Sequence, residues 1–277
     1  MFWMTFFSFI CIISIYHLVF WKPLNTGPLY KNYPFLKFGH RGSTVSEPEN
    51  TIPSFLKAIF DGCNAIELDI HMTKDNHLVV IHDDRLERTT DGIGFIENHT
   101  LAELKTLNAA KLWENRDEKI PTLKEVFEAI PPNIIVNVEI KNFSFFSEQR
   151  IELELVRFIR DNDLRDRVIV SSFNPFNIWR VKMADPQIFT ALLWYKSSVF
   201  NIKVNFGLHV IHPDILHPYL EELEGPVRFW SRVKKLPMHV WVVNEKEQML
   251  DINKRPGVKG IMTDDTKLLN NTIGAIL

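Results

Sequence analysis

The chain has 277 residues, of which 45% are hydrophobic and 24% are charged, and its formal net charge is −2. This length suits one large domain or two small ones, and the composition is ordinary for a globular protein. The balanced charge argues against a nucleic-acid partner, because dedicated nucleic-acid-binding proteins usually carry a basic field. The two cysteines, Cys11 and Cys63, indicate no disulfide framework.

The first 22 residues are predicted to form a single transmembrane anchor. No charged side chain occurs from Phe2 to Trp21, and about 20 apolar residues are what a helix needs to cross the hydrocarbon core. A cleaved signal peptide is the alternative, but it would require a basic start and small residues at a cleavage site. Lysines follow the segment, so the positive-inside rule places the next domain on the cytoplasmic face. Residues 23–34, with three prolines, are interpreted as a linker.

From residue 35 onward, short apolar runs alternate with helix-like stretches. The predicted strands are Phe35–Gly39, Ala65–Ile70, Leu78–His82, Ile134–Ile140, Arg167–Ser172, Phe189–Trp194, His209–His212, His239–Val243 and Gly260–Thr263. The predicted helices are Ile52–Asp61, Leu101–Leu107, Leu123–Ala129, Glu148–Asp161, Pro175–Met183, Tyr219–Trp230 and Lys246–Asn253. This alternation predicts an α/β fold with a parallel sheet.

One (β/α)₈ TIM barrel over residues 35–277 fits this pattern. A barrel has eight strand positions, so one of the nine predicted strands lies outside it or two of them are the same strand. No helix fits between Ile70 and Leu78. Residues 83–120 are more polar and are interpreted as a short insertion after the third strand.

Polar side chains cluster where the first four predicted strands end. His40 and Arg41 follow the first strand, and His82 ends the third. In a barrel of this kind, that end of the sheet carries the active site. Strand side chains alternate between faces, so Glu67 and Asp69 share one face of the second strand, and Glu139 and Lys141 share one face of the fourth. Three carboxylates and a lysine are therefore expected to converge at the mouth of the barrel.

These three carboxylates, Glu67, Asp69 and Glu139, predict a metal site. Three acidic groups at close range cannot all stay ionised without a cation. A ligand set made only of oxygen favours one divalent cation, Mg²⁺ or Ca²⁺, over zinc. The alternative is a buried ion network with Arg41 and Lys141, which is costly to build because every charge must leave water.

Taken together, these residues resemble the glycerophosphodiester phosphodiesterase family from residue 37 to the end, with residues 195–237 matching only loosely. The motifs are HRG at His40–Gly42, PENT at Pro48–Thr51, ELDI at Glu67–Ile70, TKDN at Thr73–Asn76, VVIHDDRLERTTDGIG at Val79–Gly94, IPTLKEVF at Ile120–Phe127, VEIK at Val138–Lys141, SSF at Ser171–Phe173, WVVN at Trp241–Asn244 and GIMTDD at Gly260–Asp265. Asn76 replaces the usual glycine of the TKDN turn, which should survive because asparagine tolerates the left-handed conformation.

The resemblance implies a role for each of these residues. His40 and His82 would be the general acid–base pair, and Arg41 would assist catalysis by holding phosphate oxygens. The first nucleophile would be the glycerol hydroxyl of the substrate itself, which gives a cyclic phosphate that water then opens. The other implied roles are metal ligation by Glu67, Asp69 and Glu139, bracing of the metal site by Glu49 and Asn50, and substrate binding by Arg41, Lys141, Phe173 and Trp241. Which histidine is the acid and which is the base stays open.

Three functions remain in competition. The first is hydrolysis of glycerophosphodiesters to glycerol 3-phosphate and an alcohol. The second is a lysophospholipase D that releases lysophosphatidic acid, which the membrane anchor and the aromatic-rich residues 189–206 would favour. The third is an inactive membrane-anchored binding protein on a barrel scaffold. A zinc site at His209, His212 and His217 is disfavoured, because intervening prolines break any helix that would align His212 with His217.

Overall fold

A computed structural model of the protein describes residues 2–141, 151–195 and 211–274. Its centre is a barrel of eight parallel strands, which closes because the first strand pairs with both the second and the last. One further strand, β3, pairs antiparallel with β2 only. The strands are β1 (Leu36–Gly39), β2 (Ala65–Met72), β3 (Leu78–Val80), β4 (Ile135–Ile140), β5 (Val168–Ser172), β6 (Phe189–Trp194), β7 (Ile215–Pro218), β8 (Met238–Val240) and β9 (Val258–Thr263).

Helices cover the outside of the barrel. Those in the described residues are α1 (Phe2–Phe20), α2 (Ile52–Phe60), α3 (Leu101–Leu104), α4 (Leu123–Ala129), α5 (Ile151–Asp161), α6 (Pro175–Ala184), α7 (Pro226–Lys234), α8 (Lys246–Asn253) and α9 (Thr266–Ile273). Short 3₁₀ turns occur at Gly27–Tyr30, Ile96–Asn98 and Leu220–Glu222. Side-chain oxygens begin several helices: Thr51 caps α2, and Thr122 forms a capping box with Glu125 at α4.

The parallel strands are buried on both faces, which explains why they are continuous apolar runs in the sequence. All six residues of β4 and all five of β5 are buried. The α/β barrel predicted from the sequence is confirmed. Most predicted strands lie within a few residues of the observed ones. An additional helix, α9, begins at Thr266 and is capped by Asp265, whose carboxylate accepts from the N–H of Leu268 at 2.9 Å.

The third strand needs a correction. It was predicted at Leu78–His82 as a possible barrel strand, but it is the one that lies outside the barrel. Only five residues lie between the end of β2 and the start of β3, too few for a crossover helix, so the chain turns back as a hairpin. Asn76 takes a φ of 64° in this turn, as predicted. The excursion of residues 83–120 therefore follows an antiparallel strand, and the barrel's own third strand is β4.

The seventh strand also differs from its prediction. Residues 209 and 210 lie outside the described residues, while Ile211 and His212 are not in a strand, and β7 runs instead over Ile215–Pro218. The single helix predicted at Tyr219–Trp230 is a 3₁₀ turn followed by α7. Gly225, with a φ of 65°, and Pro226 begin α7, which explains why the helical pattern restarts there. The start of the helix predicted at Glu148–Asp161 lies outside the described residues.

The segment predicted as a linker is packed against the base of the barrel. Trp21, which was predicted to belong to the anchor, is also buried here. Its ring stacks on His212 with 5.4 Å between the centroids, and its carbonyl accepts from Lys234 at 2.8 Å. Leu29 is buried among the residues that open the barrel strands, including Leu36. The backbone N–H of Leu24 donates to Asp214 Oδ1, just before β7, at 2.8 Å.

Helix α1 precedes this packed segment and exposes many large apolar side chains. Among the residues that the structure describes, no helix combines the length and the apolar composition needed to cross a membrane. The transmembrane anchor predicted for the first 22 residues is therefore not found there; α1 itself has 19 residues and includes the polar Thr5, Ser8 and Ser14.

Candidate active site

His40 follows directly on β1, and its backbone N–H donates to the Thr263 carbonyl on β9 at 2.9 Å. Its ring Nδ1 lies 2.7 Å from Asp264 Oδ1. Burial opposes ionisation of Asp264, but hydrogen bonds from His40, Asn244 and Thr44 outweigh burial and lower its pKa to about 2. The carboxylate therefore stays ionised at neutral pH and fixes one ring nitrogen of His40, which leaves Nε2 for proton transfer.

His82 is held in the same way by a different part of the chain. Its ring Nδ1 lies 2.6 Å from Asp83 Oδ1. Burial lowers the pKa of His82, and the cations Lys141 and Arg41 lower it further, against the opposing effect of Asp69 and Asp83. The ring is therefore neutral at pH 7, with Nε2 again the nitrogen that is left for proton transfer.

The three predicted metal ligands meet at one point. Glu67, Asp69 and Glu139 are all buried, and one carboxylate oxygen from each lies within 4.8 Å of the others. The register of the sheet explains this, because Asp69 on β2 is directly beside Glu139 on β4. The predicted convergence of three carboxylates beside a lysine is confirmed.

Two cations contact this carboxylate cluster. Lys141 Nζ lies 2.7 Å from Glu139 Oε1 and 3.1 Å from Asp69 Oδ1, and the backbone N–H of Arg41 donates to Glu67 Oε2 at 2.9 Å. Burial raises the pKa of Glu67 well above its usual value, and the neighbouring carboxylates raise it further. Burial also raises the pKa of Glu139 to about 7, although Lys141 opposes this. Asp69 keeps a pKa below its usual value because Lys141 and Arg41 outweigh its burial.

This cluster fits a divalent metal ion. Three carboxylates face two cations, so one negative charge is left over when all of them are ionised. Asp69 Oδ1 and Glu139 Oε1 are buried and make no hydrogen bond of acceptable geometry, although Lys141 lies at ion-pair distance from both. A hard, all-oxygen ligand set with unused oxygen atoms is the kind that Mg²⁺ or Ca²⁺ binds.

The two residues predicted to brace the metal site act differently. Asn50, with a φ of 57°, donates from its amide to Asp69 Oδ2 at 2.9 Å and accepts from the Asp69 N–H at 3.3 Å. Glu49 instead accepts from Arg41 Nη1 at 3.1 Å. Asn50 therefore orients a ligand directly, and Glu49 orients the arginine beside it.

Four aromatic rings stand on the opposite side of the mouth, each directly after the end of a barrel strand. We call them the aromatic cluster: Phe173, Tyr195, Tyr219 and Trp241. Neighbouring rings are in contact, with centroids 5.4 Å apart for Phe173 and Trp241 and 5.1 Å apart for Tyr195 and Tyr219. The Phe173 ring is also 5.9 Å from Lys141 Nζ. Of the two predicted pocket residues, Phe173 thus lies beside Lys141, and Trp241 packs against Phe173.

The histidines considered for zinc have separate surroundings. His212 stacks on Trp21 at the base, whereas His217 Nε2 lies 3.0 Å from His239 Nδ1 inside the barrel. His209 lies outside the described residues. His71, to which the sequence assigned no functional role, has its Nε2 3.0 Å from the carbonyl oxygen of His82.

The residues that orient the two imidazoles were not singled out from the sequence. Asp83 and Asp264 lie within two of the quoted motifs, HDD and TDD, but the sequence analysis assigned a role to neither aspartate. Arg88, on the loop after β3, donates to both Asp83 and Glu49. The adjacent carboxylate was a usable signal for Asp83, whereas Asp264 and His40 are 224 residues apart and only the closed barrel joins them.

Comparison with known proteins gives consistent matches. The profile of the glycerophosphoryl diester phosphodiesterase family matches residues 40–268. A glycerophosphodiester phosphodiesterase of Caldanaerobacter subterraneus is 38% identical over 243 residues, which cover 86% of this chain and 97% of that protein.

Two solved structures are similar across nearly their whole length. A phosphodiesterase of Oleispira antarctica, in complex with its product sn-glycerol-3-phosphate, has a TM-score of 0.71 at 26% identity and covers 88% of this chain and 98% of its own. A glycerophosphodiester phosphodiesterase of Agrobacterium tumefaciens has a TM-score of 0.73 over 86% of this chain and 99% of its own; at 22% identity it supports the fold alone.

Proposed function

The chain belongs to the glycerophosphoryl diester phosphodiesterase family and is a phosphoric diester hydrolase, and on this premise we propose that it cleaves glycerophosphodiesters into glycerol 3-phosphate and an alcohol. The observation that carries the proposal is the pair of imidazoles, His40 and His82, each held at Nδ1 by a carboxylate beside the same carboxylate cluster. The relative from Oleispira antarctica retains sn-glycerol-3-phosphate as its product, which supports the same product here.

The two imidazoles would carry the protons of the reaction. One removes the proton from the attacking hydroxyl of the substrate's glycerol as that oxygen bonds to phosphorus, and the other gives a proton to the alcohol that leaves. A cyclic phosphate results, and water opens it with the proton transfers reversed. Each ring can do this because its orienting carboxylate holds Nδ1 and leaves Nε2 available.

The remaining predicted site residues would hold the phosphate. Arg41 and Lys141 are cations within reach of the carboxylate cluster, and we assign them to the phosphate oxygens. Glu67, Asp69 and Glu139 would bind one Mg²⁺ or Ca²⁺, which when bound would neutralise charge on a phosphate oxygen. The aromatic cluster, including the predicted Phe173 and Trp241, would line the apolar side of the pocket.

A lysophospholipase D is the second candidate, and the aromatic cluster is the feature that favours it, because the exposed Tyr195 and the three half-buried rings beside it offer apolar surface to an acyl chain. The placement of the N-terminal helix does not favour it. Trp21 and Leu24 fix the end of α1 at the base of the barrel, opposite the mouth. If α1 bound to a membrane surface, that surface would lie at the base of the barrel, away from the site. We therefore prefer a water-soluble substrate.

We also propose that the catalytic unit begins before residue 35. The packed segment at Trp21–Tyr33 contributes buried side chains to the base of the barrel, so the division into residues 1–22, 23–34 and 35–277 would separate parts that fold together.

Product analysis tests this function. The purified protein is incubated with glycerophosphocholine or lysophosphatidylcholine, with EDTA and after restoring Mg²⁺ or Ca²⁺. We expect glycerol 3-phosphate from the first substrate, loss of product with EDTA and recovery with the metal. The Glu67→Gln variant should be inactive under every condition. Release of lysophosphatidic acid alone would transfer the assignment to a lysophospholipase D, and EDTA-resistant turnover would remove the metal.

A further inference from the structure

Arg88 links two parts of the site that are distant in sequence. Its Nε donates to Asp83 Oδ2 at 2.6 Å and its Nη2 to Asp83 Oδ1 at 3.0 Å. On its other edge, Nη1 and Nη2 donate to the two carboxylate oxygens of Glu49 at 2.8 and 2.7 Å. One guanidinium thus makes paired hydrogen bonds to two carboxylates, the geometry that the planar fork of arginine permits.

Each of these two carboxylates also contacts a residue of the proposed catalytic machinery. Asp83 Oδ1, which accepts from Arg88, is also 2.6 Å from Nδ1 of His82. Glu49 Oε1, which accepts from Arg88, also accepts from Arg41 Nη1 at 3.1 Å. Arg88 is therefore one residue removed from both a proton-transfer group and a phosphate-binding cation.

Arg88 is poorly suited to bind the substrate directly. Four hydrogen bonds to carboxylates occupy most of the five N–H groups of its guanidinium. Its charge is balanced by Asp83 and Glu49 on both sides. Its contacts connect the loop after β1, which carries Glu49, to the loop after β3, which carries Asp83.

We propose that Arg88 is a positioning residue, which clamps Asp83 and Glu49 together and thereby fixes the imidazole of His82 and the guanidinium of Arg41 in their working orientations. The proposal rests on the proposed function for its kinetic consequence, but its effect on His82 is independent of any substrate. Without Arg88, two carboxylates would face each other with no shared cation, and their repulsion would move them out of position.

The same clamp sets the charge around His82. The charged groups that act on this ring are Asp69 from β2, Lys141 from β4, Arg41 from the loop after β1, and Asp83 beside it; Glu49 is near enough to be affected by the ring in turn. Arg88 balances Asp83 and Glu49. Its removal leaves their negative charge uncompensated, so the imidazole should bind its proton more tightly and titrate at a higher pH.

Kinetics of Arg88→Ala and Arg88→Lys test the clamp. We expect Arg88→Ala to lower kcat about 10- to 100-fold, the usual loss when an orienting partner is removed. Arg88→Lys should recover only part of this, because a lysine cannot form two paired contacts. The matched control is Arg85→Ala, which removes an exposed arginine of the same loop whose partner is Glu87. A kcat for Arg88→Ala as high as that of Arg85→Ala would overturn the proposal.

A double-mutant cycle with Asp83→Asn separates positioning from general stability. If Arg88 acts through Asp83 and Glu49, Arg88→Ala should cost less in the Asp83→Asn background than in the wild type, because only the contact with Glu49 is left to lose. Added guanidinium should also restore activity to Arg88→Ala, since the side chain is 39% exposed. Additive losses in the cycle, or a melting temperature that falls while kcat per folded molecule is unchanged, would show a merely structural role.

The titration of His82 by NMR gives a readout without substrate, with the signal assigned by its loss in His82→Gln. We expect the midpoint to move to higher pH in Arg88→Ala and to stay unchanged in Arg85→Ala. If the wild-type protein made no glycerol 3-phosphate but the midpoint moved, the proposed function would fail while the clamp stood. An unmoved midpoint in a folded Arg88→Ala protein would refute the clamp itself.

Discussion

At the scale of single residues, the site repeats one device with two different carboxylates. His82 takes its orienting carboxylate from the next residue in the chain, and His40 takes it from Asp264 on the far side of the barrel closure. The partners differ in charge balance. Asp83 is paired with the cation Arg88. Besides the contact with His40, the Asp264 carboxylate accepts hydrogen bonds only from the neutral side chains of Asn244 and Thr44 among the described residues. The negative charge of Asp264 therefore acts mainly on the imidazole of His40.

Replacement of Asp264 tests this orientation. In Asp264→Asn the amide can present its NH₂ group to Nδ1 and favour the wrong tautomer of His40, so we expect kcat to fall by about two orders of magnitude or more, as in other His–carboxylate pairs. Steady-state kinetics give the result. Asp265→Asn is the matched control, because Asp265 only caps α9 and asparagine can also cap a helix. Equal activity in the two variants would show that the Asp264 contact is dispensable.

The carboxylate cluster predicts a stability that depends on metal and pH. Burial and neighbouring carboxylates raise the pKa of Glu67, and burial raises that of Glu139 to about 7. A raised carboxyl pKa contributes stability that is complete below its usual value, near 4.5, and is lost as the pH rises through the folded value. We therefore expect the metal-free protein to melt at a lower temperature at about pH 8 than at about pH 5, with Mg²⁺ or Ca²⁺ reversing the loss.

In Glu67→Gln one of the repelling charges is gone, while its carbonyl can still accept from the Arg41 N–H. Thermal denaturation in EDTA at about pH 8 should give this variant a higher melting temperature than the wild type, with no further rise on adding metal. Glu152→Gln is the control, because that buried carboxylate is paired with Arg180 and its loss should destabilise the protein at either pH. A Glu67→Gln protein less stable than the wild type would contradict the account.

At the scale of elements, the loop from β1 to α2 brings Arg41 and Asn50 to the site through left-handed backbone conformations, with φ values of 55° and 57°. Between them, Gly42 has a φ of 92°. A Cβ on Gly42 would lie 2.0 Å from Ser54 Oγ and 2.6 Å from the Ser54 carbonyl carbon, so the backbone of α2 leaves no room for it. Close packing of this loop on α2 thus fixes where the HRG motif points.

Gly42→Ala should therefore lower the free energy of unfolding by about 3 kcal/mol or more, since it combines a strained φ with a backbone clash. Denaturant unfolding and kcat are measured together, because displacement of Arg41 should also reduce activity. In Gly225→Ala the φ of 65° is also positive, but nothing lies within 4 Å of the new Cβ, so only the backbone strain remains and a smaller loss, about 1–3 kcal/mol, is expected. Equal losses in both variants would mean that the contact with Ser54 does not matter.

The limits of the sequence analysis lie in how elements are placed. Period-two alternation was enough to put Glu67, Asp69 and Glu139 on one face, because the side-chain period of a strand is fixed by its geometry. The pairing partner of a strand is not local. Although no helix fits before Leu78, the sequence did not identify β3 as the strand that lies outside the barrel. Asp264 reaches His40 through barrel closure, and no spacing along the chain encodes that contact.

At the scale of the whole molecule, the barrel has two ends with different tasks. The mouth carries the charged residues and the aromatic cluster, while the base is sealed by the chain before β1. Leu29 is 1% exposed and lies in one apolar cluster with the first residues of several strands. Tyr30 reaches further inside, with its hydroxyl 2.8 Å from His239 Nε2. Residues that look like a proline-rich linker in the sequence thus complete the core.

Truncation distinguishes the packed segment from the helix before it. Deletion of residues 1–20 removes α1, whose large side chains are mostly exposed, so the melting temperature and kcat should be retained. Deletion of residues 1–33 also removes Trp21 and Leu29, and burial of each such side chain stabilises a protein by about 1.5–3 kcal/mol. Because total stabilities are only about 5–15 kcal/mol, the longer deletion should leave a largely unfolded or aggregated protein.

A point variant makes the same test without changing chain length. Leu29→Ala should cost about 2–5 kcal/mol in denaturant unfolding, since it opens a cavity at the base, while kcat per folded molecule stays near the wild-type value because the mouth is at the other end. Leu112→Ala is the control, as that side chain is 66% exposed and its loss should cost less than about 0.5 kcal/mol. If Leu29→Ala were as stable as Leu112→Ala, and the longer truncation folded, the segment would be a linker after all and the barrel would seal its own base.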